Sequence, residues 1–207
     1  MKNNSFTFLL VLTLTAGIFM QTAKAQVTVT GSAGGANGTY TTLKLAFDAL
    51  NLVTASQAGK NIVVTLTANT NETAAAVLNQ PLIGSWASLT IYPTIAGLSI
   101  SGNLATPLID LNGADNVTID GRVNQTGAKD LVISNTNTSN TNGTSTIRFY
   151  NHTSNNTVKY CTIKGSSTTS TGGILWFSDY SNDNNTIDHN DITSCTCLLY
   201  TSDAADE

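Results

Sequence analysis

Charge is scarce in this chain: Asp, Glu, Lys and Arg together make up 11% of its 207 residues, and no basic run occurs anywhere. The formal net charge is −4. Weak acidity without a basic patch argues against a nucleic acid or an anionic membrane as partner. Beyond Met20 no apolar run is long enough to span a bilayer. Only three cysteines are present, and Cys195 and Cys197 form no metal knuckle or redox pair with Cys161. Both histidines, His152 and His189, lie outside any glycine context. The acidic residues Asp179, Asp183, Asp188 and Asp191 lie close in sequence but lack the alternating Asp loop with a distal Glu that would bind Ca²⁺, so they read as a solvated corner.

The two ends are set apart from the rest. Lys2 opens a polar start, Phe6 to Met20 is mostly apolar, and Ala23-Lys24-Ala25 has the small-x-small pattern of a cleavage site. Residues 1–25 are therefore expected to be a signal peptide and the product secreted, or held at the outer cell surface. At the other end, Cys197 to Glu207 breaks the composition abruptly and resembles the in-frame translation of a transposon end used to prepare sequencing libraries. Residues 197–207 are expected to be this non-native tail, with the natural chain continuing past Thr196. Setting both ends aside removes two cations (Lys2, Lys24) and three anions (Asp203, Asp206, Glu207), which leaves a net charge of −3.

What is abundant is Thr (34) and Asn (23), more than a quarter of the chain. Threonine suits strands because it is β-branched, and asparagine amides can stack in ladders from one strand layer to the next. Apolar residues still make up 41%, too many for a disordered stalk. They come in short alternating bursts: Ile62-Val64-Leu66, Leu89-Ile91, Leu98-Ile100, Ile109-Leu111, Val117-Ile119, Leu131-Ile133, Ile147-Phe149, Val158, Ile163, Ile174-Trp176, and Ile187 with Ile192.

One unit is written twice. Asn155-Asn156-Thr157-Val158 with Ile163 recurs 29 positions later as Asn184-Asn185-Thr186-Ile187 with Ile192. A unit of this length buries its apolar face only against a neighbouring copy, so the chain is expected to be a solenoid of about four coils. Stacking in register sets Cys161 over Asn190 and leaves Cys195 too far along its coil to bridge. Ser134 to Gly143 and Gly165 to Gly173 read as corner loops on one side. Before the coils, residues 26–58 hold a short strand and one helix, capped by Thr41 or Thr42, whose apolar face is Leu43, Ala46, Phe47 and Leu50. This helix is the expected lid on the first coil, and 59–196 are the coils.

The run Gly38-Thr39-Tyr40-Thr41-Thr42-Leu43-Lys44-Leu45-Ala46-Phe47-Asp48-Ala49-Leu50, with the later Asn-Asn-Thr coils, resembles exported right-handed parallel β-helix proteins of the Bacteroidetes type. The resemblance implies an all-β solenoid with an N-terminal capping helix. It also implies a structural, adhesive or carbohydrate-binding role, with a polysaccharide or cell-surface polymer as partner. The same fold houses pectin-degrading lyases and hydrolases, and Asn116 to Arg122 looks like a polygalacturonase coil. Asp110 and Asp120 are the carboxylates such a reading would pair. The polygalacturonase set of Asn-Thr-Asp, Asp-Asp, Gly-His-Gly and Arg-Ile-Lys is absent. No catalytic, cofactor or metal residue is assigned on this reading, and an enzyme would carry its site mainly in coils beyond this stretch. Tyr150, Trp176, Phe177 and Tyr180 are candidates for a sugar-stacking surface, with strand alternation sending one of Trp176 and Phe177 inward and the other out.

Overall fold

The computed structural model describes residues 24–168, 172–179 and 181–193, together with the backbone of 199–201. The expected signal peptide as far as Ala23, Tyr180, Cys195 and most of residues 197–207 lie outside the described residues.

Strands β1 (Val27–Thr30) and β2 (Gly38–Tyr40) precede the helix α1 (Leu43–Asn51). The first coil is β3 (Asn61–Leu66), β4 (Thr70–Glu72) and β5 (Ala76–Asn79), and the second is β6 (Ser88–Pro93), β7 (Leu98–Gly102) and β8 (Ile109–Asn112). The third coil is β9 (Val117–Asp120), β10 (Leu131–Asn135) and β11 (Ser145–Tyr150), and the fourth is β12 (Thr157–Lys159), β13 (Cys161–Gly165) and β14 (Gly173–Phe177). Then follow β15 (Thr186–Asp188), β16 (Asp191–Thr193) and β17 (Leu199–Thr201). Every third strand joins the same sheet in parallel, so the chain is a β-solenoid with three sheets as its sides. From β3 it returns to the first sheet at β6, β9, β12 and β15, which is about four turns, as the repeat predicts.

The core is a set of in-register apolar rows. Val64, Ile91, Ile119, Val158 and Ile187 stack in the first sheet, and Ile100, Ile133, Ile163 and Ile192 in the second. In the third sheet Leu78, Leu111, Phe149 and Phe177 do the same, the two rings stacked nearly parallel with centroids 4.4 Å apart. Each fully buried Leu, Ile or Phe contributes about 1.5–3 kcal/mol, so one coil is held chiefly by its neighbours. One expectation is corrected here. Ile174 and Trp176 do not share the inward row. Leu175 and Phe177 occupy it, while Ile174 is buried on the opposite side against Gly165.

The Asn-Asn-Thr repeat has a local cause. Asn116, Asn155 and Asn184 precede β9, β12 and β15 at equivalent positions, with φ of 57°, 59° and 56°. Asparagine enters this left-handed region more readily than most residues with a Cβ, so the first Asn makes the corner. The second turns its amide inward. Asn156 is fully buried, accepting from Val117 N at 2.7 Å and donating to Ala114 O at 3.0 Å.

Helix α1 closes the first coil. The Thr42 hydroxyl accepts from Leu45 N at 3.2 Å, and Leu43, Ala46, Phe47 and Leu50 are buried as expected. The lid also satisfies strand edges. The buried Glu72 carboxylate of β4 accepts from Leu43 N and Lys44 N, both at 3.0 Å, so a negative group meets the helix N-terminus. At the other end Asn51 donates to Val77 O and accepts from Asn79 N, pairing with the free edge of β5 as another strand would. In the first sheet β1 lies antiparallel on β3, with β2 outside it.

Both expected corner loops join the second sheet to the third on one side of the solenoid. They bond from coil to coil: Asn137 donates to the Asn103 side chain at 2.7 Å, and Ser167 to Ser139 O at 3.1 Å.

Candidate binding surface

Alternation sends every second residue of the third sheet outward, and register lines those residues up across coils. Val77, Asp110, Arg148 and Trp176 form one such row, and Asn79, Asn112 and Tyr150 the next. Arg148 grips the almost fully buried Asp110 through two bonds, Nε to Oδ1 at 2.9 Å and Nη2 to Oδ2 at 2.6 Å. Its guanidinium lies 4.6 Å from the Tyr150 ring centroid and 5.3 Å from that of Trp176, a cation–π arrangement with each ring. Beside it, Asn112 Nδ2 donates to Asn79 Oδ1 at 2.8 Å. The result is a strip of half-buried rings and amides running along the solenoid axis, with successive strands about 4.8 Å apart. As expected from alternation, Trp176 faces outward and Phe177 packs on the core.

A second constellation sits at the corner after the first sheet. Asp120 is fully buried and bonded by Arg122 through Nε at 2.9 Å, Nη2 at 2.7 Å and the backbone N–H at 3.1 Å, with Lys159 Nζ at 3.6 Å. Arg122 covers the Tyr160 ring at 4.1 Å, and Tyr160 stacks on His189 at 4.9 Å. Tyr160 and His189 hold equivalent corner positions, with φ of 53° and 51°. Gly121 holds that position one coil earlier, where a Cβ would lie 2.0 Å from Tyr160 O. The polygalacturonase-like segment Asn116 to Arg122 thus serves to close a corner.

Asp110 and Asp120 do not form a carboxylate pair. They belong to the third and first sheets respectively, and each is tied to an arginine. Asp188 meets His189 at 2.6 Å and Asp191 meets Lys129 at 2.5 Å. Among the described residues no three His, Cys, Asp or Glu side chains gather as a ligand set. Cys161 lies over Asn190, as the repeat predicts, and its N–H donates to Asn190 Oδ1 at 2.8 Å. Sequence reasoning missed Arg148. The available signal was a cation between Ile147 and Phe149, an outward position in a strand.

No family model, curated protein or solved structure matches this chain.

Proposed function

We propose that this chain is the binding part of a secreted or cell-surface protein that adheres to polysaccharide through the outward face of the third sheet. The observation that carries the reading is the in-register strip of Asp110, Arg148 and Trp176 beside Asn79, Asn112 and Tyr150. Rings with a polar edge suit sugar rings, which present an apolar face bordered by hydroxyls. Repetition along the axis suits a polymer, because many weak contacts held on one rigid scaffold add up to useful avidity. The leader read at residues 1–25 supports export. Amides and hydroxyls also line the outward face of the second sheet, as in its Asn71, Ser101 and Ser134 row.

A glycan array probed with the intact protein, run beside a reducing-sugar release assay on the bound glycans, tests the reading. Binding without release is the expected result. Sugar release at an ordinary enzymatic turnover contradicts it and favours a lyase or hydrolase.

A further inference from the structure

We infer that the polymer taken by this strip is uncharged, and is not a polyuronate or a sulfated chain; the inference deepens the polysaccharide-binding reading and rests on it. Recognition of an acidic polymer needs a cation free to meet each carboxylate or sulfate. Arg148 supplies the positive charge of the described strip, and it is committed. Two of its nitrogens bond Asp110, whose side chain is 5% exposed, and its charge lies over the Tyr150 and Trp176 rings. Turning Arg148 toward a ligand carboxylate would leave Asp110 buried without its partner, a loss that a solvent-exposed ion pair does not recover. The strip is therefore neutral where a ligand would lie. The surrounding chain, at −3 once both ends are set aside, repels polyanions further.

What the strip offers beside this ion pair is neutral: the half-buried Asn79 and Asn112 amides and the Tyr150 hydroxyl carry no charge. Amide and hydroxyl groups pair with sugar hydroxyls without any charge on the ligand.

Titration calorimetry of the whole chain against neutral polymers (xylan, mannan and a mixed-linkage glucan) and against polygalacturonate and alginate separates the outcomes. Binding of at least one neutral polymer is expected, with affinity changing less than about twofold between roughly 50 and 500 mM salt, because no ion pair is screened. Asp110→Asn, which removes the neutralising charge while keeping an acceptor for Arg148, is expected to gain about tenfold in polygalacturonate affinity, in a salt-sensitive way. Salt-sensitive binding of polyuronate by the unaltered protein overturns this inference and leaves polysaccharide binding standing. Failure to bind any of the polymers, neutral or acidic, overturns both.

Discussion

Asn185 lies directly over Asn156, its Oδ1 accepting from both the backbone N–H and the side-chain Nδ2 of Asn156 at 3.0 Å. Asn156 repeats the interaction one coil earlier by accepting from Val117 N. The ladder thus couples three coils, and at Asn156, which is fully buried, no water can take over its bonds. Asn156→Ala is expected to destabilise the protein by about 2–3 kcal/mol, because buried backbone groups lose their partner. Asn185→Ala, at a half-buried position, is expected to cost about 1 kcal/mol. Urea unfolding of both variants checks the order; equal and negligible losses would show that the ladder is not a stabilising element.

Asp120 and Asp115 pull the acid stability profile in opposite directions. Burial alone would raise the Asp120 carboxyl, but hydrogen bonds from the Arg122 side chain and N–H, with the charges of Arg122 and Lys159, outweigh it and hold it below its ordinary 3.8. A carboxyl depressed on folding contributes stability that is complete above its unfolded value and lost as pH falls through the folded one. Asp115 is raised by burial, partly offset by the Ser154 N–H. Its ionised form therefore opposes folding near neutrality, and that opposition fades as pH falls through its raised value toward the unfolded one. Asp120→Asn is expected to flatten the loss of stability below about pH 4, and Asp115→Asn to raise stability at neutral pH. Urea midpoints measured across the acid range give both results; a neutral-pH loss in Asp115→Asn would contradict the assignment.

Burial first, then the nearby Asp120 carboxylate, push the Cys161 thiol up to about 12, with the Gly121 N–H only partly offsetting them. The thiolate is the reactive form, so Cys161 is expected to resist iodoacetamide in the folded protein at about pH 8 and to alkylate once unfolded. Mass spectrometry of peptides labelled under both conditions reads this directly. Full labelling of Cys161 in the native state would place it outside the core.

The fold was legible because the repeat states its own register. The 29-residue offset between Asn156 and Asn185 pairs Val158 with Ile187 and Ile163 with Ile192, as the structure does. The helical face of α1 was equally plain, since its apolar spacing and Thr42 cap are local signals. Strand β4 was not legible, because its inward residues are Thr70 and Glu72, and Glu72 is buried only through its bonds to α1. The Asp110 and Arg148 pair was hidden for a different reason. The two are 38 positions apart across a coil enlarged by the loops after β9 and β10, so no fixed period links them. Side-chain pairing across coils of unequal length needs the register itself.

The most direct test of the account is the polysaccharide affinity of Trp176→Ala beside Ser99→Ala, which changes the outward face of the second sheet, with urea unfolding confirming that both remain folded. Trp176→Ala is expected to weaken binding about tenfold and Ser99→Ala to stay within about twofold of the unaltered protein. Unchanged affinity in Trp176→Ala would contradict the placement of the binding surface on the third sheet.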